Sequence, residues 1–262
     1  MRAKFVRTYN VALFIDAIGR VEGRFVPERA ICLVAGDAGF GKSRTALWWA
    51  LQHQAALISV SPMATPGWVL RDLVRELGGA PGRTVEDVKL QAIGLLAADP
   101  RPIVVDEVEN ALDRGGAALD ALRTIADTCE VPLVLVGRER TPEKLQHHKQ
   151  IWRRIGGRAL FHPISLADVA QLASEIAEAA IEDEVIEAIH ANSEGRICQA
   201  LNGIAVAERA AIAAGRPARL ADIDLAMLVH PCARGGARVL GLPRSKRSSS
   251  NGARATSAGA AS

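Results

Sequence analysis

The stretch Ala30–Ser43, AICLVAGDAGFGKS, decides how the rest of the chain is read. Gly36, four residues, then Gly41-Lys42-Ser43 is a phosphate-loop pattern without a mismatch. An apolar run of strand length precedes it, and Ser43 to Gln54 (SRTALWWALQHQ) continues as a helix. In that context the backbone N–H groups of Gly36, Asp37, Ala38, Gly39, Phe40 and Gly41, with the first helical turn through Arg44, face a phosphate tail. Lys42 then reaches the β/γ oxygens, and the Ser43 hydroxyl is a ligand for Mg²⁺.

Working outward, apolar runs of strand length alternate with helical patterns. LISVS (57–61), RPIVV before Asp106, VPLVLVG (131–137) and RALFHPI (158–164) are the further strand candidates. Between them, PGWVLRDLVREL carries Trp68, Leu70, Leu73, Val74 and Leu77 as one apolar face. Thr84 with Asp87 three residues on opens another helix as a capping pair. A third helix runs from about 116 to 128. The fold class this predicts is α/β, a P-loop parallel sheet with helices on both faces.

After residue 165 the strand candidates stop. SLADVAQLASEIAEAAIEDEVIEAIHANSEG and RICQALNGIAVAERAAIAAG read as helices of a small all-helical lid domain. The expected organisation is an N-terminal segment 1–29, with VALFIDAIG at helical spacing, then the core 30–164, the lid 165–230 and a tail 231–262. That tail holds Arg234, Arg238, Arg244, Lys246, Arg247 and Arg254 and no acid, too polar to fold alone.

Composition narrows the classes further. Of 262 residues 49% are hydrophobic and 4% aromatic, with a net charge of +3, a helix-rich globular balance. Cys32, Cys129, Cys198 and Cys232 stand singly, without metal spacing, and read as reduced, mostly buried thiols. No apolar run reaches the ~18 residues that cross a bilayer, and MRAKFVRTYN lacks a secretion signal's apolar core. A cytoplasmic protein without membrane contact is expected.

IVVDE supplies the second chemical element. A carboxylate at the end of a strand parallel to the first holds the Mg²⁺ shell, and its neighbour orients or deprotonates water. Asp106 takes the first role and Glu107 the second, so hydrolysis is expected rather than nucleotide holding alone.

The order of phosphate loop, DE strand, VPLVLVG strand, a helix ending in Trp152-Arg153-Arg154-Ile155 and a helical lobe resembles an AAA+ ATPase. Within that class, LRTIADTCEVPLVLVG followed by IWRRI is similar to the target-selecting ATPases of DNA transposition, the family of the phage Mu transposition protein B. The resemblance covers about residues 8 to 210. It implies ATP and Mg²⁺ as ligands, a homo-oligomer or helical filament on double-stranded DNA bound without sequence preference, and a transposase as client. It also implies that Arg154, with Arg153 as near-equivalent, reaches a neighbouring subunit's γ-phosphate. By the same resemblance Arg71, Arg75, Arg83 and Lys89 line the DNA path, in electrostatic contacts.

Three departures from that family stand out. Gly137-Arg138 replaces a small polar residue after the fourth strand. In SEGRICQALN, Cys198 falls where an arginine sensor is expected, with Arg196 nearby. The core begins almost at once, leaving no room ahead of it for an N-terminal DNA-binding module. Helicase loaders and secretion-associated ATPases share the same core, and a nucleotide-gated protein-binding scaffold is a rival of another class.

Overall fold

The computed structural model describes residues 1–228, so the basic tail expected from residue 231 lies outside the described residues. The run AICLVAG forms β1 (Ile31–Gly36), buried along its whole length. It joins β2 (Ala56–Ser59), β3 (Ile103–Asp106), β4 (Leu133–Arg138) and β5 (Ile155–Leu160) in one sheet of order β2-β3-β4-β1-β5. Every pairing is parallel. Because side chains alternate along a strand, Ile31 and Leu33 enter one core while Cys32 and Val34 enter the other.

Helices cover both faces, as a doubly buried parallel sheet requires. On one face α1 (Tyr9–Glu22) and α2 (Lys42–His53) pack through Phe14, Ile18, Ala46 and Trp49. Burial there pushes the Cys32 thiol up to about 12. On the other face lie α3 (Pro66–Glu76), α4 (Val85–Ala98), α5 (Val108–Leu112) and α6 (Ala117–Thr128), anchored by Leu70, Leu73, Leu96, Leu122 and Ile125. The Thr84–Asp87 capping pair forms in both directions, at 3.1 and 3.3 Å.

Three local expectations change. Trp68 is 56% exposed and Val69 takes its place in the buried stripe of α3, so the tryptophan shares the solvent face of Arg71 and Arg75. The polar stretch after β4 is two short helices, α7 (Thr141–Gln146) and α8 (Lys149–Trp152), and within WRRI the helix ends at Trp152, Arg153-Arg154 is the turn and Ile155 opens β5. β5 itself starts at Ile155, three residues ahead of the expected run. Gly156-Gly157 lies in the strand, and at Gly157 a Cβ would overlap the Ala17 carbonyl of α1. Backbone-to-backbone packing of that kind leaves no apolar pattern.

Beyond β5, α9 (Leu166–Ile176), α10 (Asp183–Asn192) and α11 (Ile197–Ala214) surround a separate core of Val169, Leu172, Ile189 and Ile204, joined by Val6. The long helical run expected from Ser165 is broken at residues 177–182, where Ile181 bridges to Ala218. Asp168 completes a capping box with Ser165 and also accepts from the Tyr9 amide at 2.8 Å. Asn10 clamps the His162 backbone, donating to its oxygen at 2.8 Å and accepting from its nitrogen at 3.0 Å. These bonds fix the start of α1 against both the sheet and the helical lobe. Among the described residues no helix is long and apolar enough to cross a membrane.

Gly157→Ala is expected to destabilise the protein by about 3 kcal/mol, because α1 must retreat from the sheet to admit one methyl. Urea denaturation measures it; an unchanged midpoint would show that α1 is not held by this contact.

Candidate nucleotide site

The phosphate loop ends in a helix that nothing caps. Gly41, at φ +92°, is the N-cap of α2; among the described residues no side chain caps the first-turn amides, and no acid lies in that turn. The first amides of a helix have no intrahelical partner, so these donors and the dipole's positive end open into a cleft. This is the fit a phosphate requires. Only glycine takes the Gly41 conformation without strain, and a Cβ there would press on Ile197.

Lys42 crosses the loop and donates from Nζ to the Asp37 carbonyl at 2.7 Å. Burial lowers its pKa below the ordinary lysine value, opposed by the charges of Asp106, Glu109 and Asp37, while Arg138 adds to the lowering. Lys42, Ser43, Asp106, Glu107, Glu109 and Arg138 line one cleft of about 580 Å³. The sequence-predicted loop and acid pair therefore meet, since β3 and β1 run parallel and end on the same edge. The Ser43 hydroxyl and the Asp106 carboxylate give the oxygen donors that Mg²⁺ takes.

Glu107 does not continue the strand. It is an L-residue at φ 55°, ψ 41°, at the N-cap of α5, a conformation that costs of the order of 1 kcal/mol or more and concentrates at functional sites. The Ser59 hydroxyl donates to its Oε2 at 3.1 Å, and β2 delivers Ser59 there because Ser59 pairs in register with Asp106.

Three features escaped the sequence reading. Glu109 is buried against Arg138, its carboxylate accepting from Nε at 2.8 Å and from the Arg138 amide at 3.3 Å. Beside the loop, the N-terminal segment closes a cavity of about 400 Å³ lined by Phe5, Val11, Phe40, Leu172, Ile176 and Ile197. Its walls come from four distant stretches, so no local motif marks it; the stacking of Phe5 on Trp48 at 4.3 Å holds the segment down. Finally, Cys198 is exposed and lines the cleft, a correction to the expectation of mostly buried thiols. It projects from the first turn of α11, whose Ile197 amide donates to the Gly39 carbonyl at 3.0 Å. The Arg196 stem covers Gly39 rather than lining the cleft.

Arg153 and Arg154 lie at the far edge of the sheet. The Arg154 carbonyl accepts from the Ile31 amide at the start of β1, and five strand steps of ~3.3 Å put it about 17 Å from Gly36. Neither arginine reaches its own cleft. Arg154 is tied by Nε to Asp127 at 2.8 Å, whereas Arg153 is exposed and forms no ion pair among the described residues.

The four cations assigned to DNA do not form one uncompensated patch. Arg71 donates to the Gly67 and Arg83 carbonyls at 3.1 and 2.8 Å, bracing the start of α3 against the approach to α4. Arg75 pairs with Asp72 at 2.6 Å. Arg83 is exposed and Lys89 half-buried, with Glu76, Glu86 and Asp87 exposed on the same two helices and their connection.

The sheet order, the uncapped loop helix and the acid pair define a P-loop ATPase of the AAA+ fold. Residues 27–145 match the family model described as AAA domain. No curated protein matches the sequence. Among solved structures the fold is similar to the Orc1 protein of Aeropyrum pernix in complex with DNA, with a TM-score of 0.56 and 18% identity over 82% of this chain and 63% of that one. It is similar to Cdc6p from Pyrobaculum aerophilum, at 0.56 and 14% over 85% and 67%. A third is domain III of the Thermotoga maritima replication initiation protein DnaA, at 0.53 and 16% over 81% and 88%. This chain thus spans less than two thirds of the Orc1 chain.

Lys42→Met tests the burial of the loop lysine. Burial penalises the ammonium below its lowered folded pKa, and that penalty fades as pH rises toward the ordinary lysine value. The nucleotide-free variant is therefore expected to melt at or above the wild-type temperature at pH 7, the difference shrinking in alkali. A lower melting temperature at pH 7 would mean that the bond to Asp37 outweighs desolvation.

Proposed function

We propose that this chain is an ATP-dependent, sequence-nonspecific DNA-binding ATPase. It assembles head-to-tail on target DNA when ATP is bound and hands that DNA to a transposase. One observation carries the reading: the loop and acid pair converge at one edge of the sheet, while Arg153 and Arg154 stand at the other. A composite site then needs two subunits.

In this reading the triphosphate lies on the open amides of α2 with Lys42 against the β/γ oxygens, and the base fills the apolar cavity under the N-terminal segment. Ser43 and Asp106 would hold Mg²⁺, which spreads the charge of the β and γ oxygens. Glu107, braced by Ser59, orients a water and takes its proton as the water oxygen bonds phosphorus and ADP leaves. Arg153, without an ion pair among the described residues, is the residue a neighbour receives; Arg154, held by Asp127, keeps that turn in place.

DNA as partner is supported by the solved relatives, one of them in complex with DNA and another a replication initiation protein. The transposase rests on the resemblance of residues 122–137 and 151–155. Stimulation of a cognate transposase by the purified protein tests it; stimulation of helicase loading instead would sink it.

Glu107→Gln is expected to bind ATP normally while hydrolysing it about 100-fold more slowly or worse. Wild-type turnover would remove Glu107 from the water-activating role. Arg153→Ala should keep nucleotide affinity and lose about 10³-fold in turnover. Mixing it with Lys42→Ala should restore part of the rate, because the Lys42→Ala subunit donates Arg153 to an intact cleft. Normal turnover by Arg153→Ala would assign the finger elsewhere.

Duplex binding should require ATP, ignore sequence and weaken with salt, log affinity falling by about 0.9 per phosphate contact against log salt. Replacing Arg75 and Arg83 by alanine should flatten the slope by up to about two units per subunit. Equal binding without nucleotide would end the ATP-gated reading.

A further inference from the structure

We propose that residues 2–5 are a strap that must unlatch from Trp48 before a nucleotide base can enter or leave, so that the Phe5–Trp48 stack sets the exchange rate of ATP and ADP without setting their affinity. This rests on the reading of the apolar cavity beside the phosphate loop as the base site.

The cavity has two approaches. On the cleft side it shares Gly41, Arg44, Ile197 and Leu201 with the phosphate cleft, and the two hollows meet there. Ile197 narrows that passage: a Cβ on Gly41 would meet it at 3.2 Å, and its amide holds the Gly39 carbonyl at 3.0 Å. A base arriving from the cleft must therefore part the helical lobe from the loop. The other approach is covered by the strap.

The strap is held to both walls of the cavity. The Arg2 amide donates to the Ile176 carbonyl of α9 at 2.8 Å, and Lys4 pairs with Glu175 of the same helix at 2.7 Å. On the α2 side the Phe5 ring lies on Trp48, centroids 4.3 Å apart and planes within 2° of parallel. Arg2, Ala3 and Lys4 are exposed, whereas Val6 is buried in the lobe core and Thr8 is the N-cap of α1. The segment thus has a buried root and an exposed cover. Such a cover opens far more readily than a packed helical lobe moves. The exposed ion pair adds little, which leaves the aromatic stack as the stronger latch.

Trp48 is not a wall of the cavity. It steadies the closed strap equally with and without nucleotide, and a contribution common to both states leaves affinity unchanged. What it raises is the barrier between them.

Stopped-flow fluorescence of the full chain with mant-ADP measures association and release separately. Trp48→Ala is expected to raise both rates about tenfold, as for loss of an aromatic stack, with Kd within about threefold of wild type. Trp48→Leu fills the same half-buried place without a ring, and should act in the same direction if the alanine variant fails to fold. Trp48→Phe, which restores a ring for Phe5, should bring both rates back to within about threefold of wild type. Faster release with unchanged association would make Trp48 a support of the cavity wall, and unchanged rates in the alanine and leucine variants would make the lobe the door. Either result overturns the strap while the base site stands. Pyrophosphate displacing mant-ADP from the wild-type protein as well as ADP does would show that the base has no place in the cavity, and would overturn both.

Discussion

The N-terminus of α2 is a helix end left without a cap, at the tip of the most buried strand of the sheet. Folding therefore leaves a set of amide donors and a positive dipole pointing at the cleft, and the surroundings are arranged around that unspent hydrogen-bonding capacity. β4 and β3 bring Arg138 and Asp106 beside it, α5 brings Glu107 and Glu109, and the first turn of α11 closes over the top. Lys42, pressed into the same space, bonds back to the loop carbonyl at Asp37. A loop of this kind is held by the sheet beneath it and by the helical lobe above it, since its own turn offers little beyond glycine conformations.

How much of this was legible follows from how each feature is encoded. The loop, the acid pair and the Thr84 cap are local patterns, and each stands where the spacing puts it. The alternation of Ile31, Cys32, Leu33 and Val34 between two cores is likewise written in the period of a strand. What escaped depends on distant approach. Gly157 stands outside the expected strand because the reason for it, the backbone of α1, lies some 140 residues earlier. Trp68 looks like a core residue because it continues the apolar spacing of Leu70, Leu73 and Leu77, yet Val69 fills the buried place. The apolar cavity beside the loop is assembled from the N-terminal segment, α1, α9, α11 and the loop itself. Glu109 and Arg138 are ordinary surface types in sequence, and only the sheet order makes them a pair.

The helical lobe and the core share few but well-placed bonds. Asp168 caps α9 and holds the first amide of α1; Asn10 clamps the segment after β5; Ile197 donates to Gly39. The first two hold α1 against the lobe and the end of the sheet, and the third reaches the phosphate loop itself. The lobe is thus joined to the phosphate loop by the bond from the Ile197 amide to the Gly39 carbonyl. Arg196 adds its stem to the same contact, covering Gly39 from the lobe side.

On the proposed role of Arg153 in a neighbour's site, its separation from its own cleft also dictates symmetry. A two-fold dimer would set like against like and could not bring one subunit's arginine edge to the other's cleft unless both edges shared a single face. A head-to-tail contact does so without further conditions, and repeated it yields a ring or an open helix. In the open case the two ends are chemically different: one terminal subunit offers a cleft that no arginine completes, and the other offers an arginine that serves no one. Nucleotide at the first end would then outlive nucleotide in the interior, and a filament built in this manner would carry a direction, with a persistent tip and an ageing body.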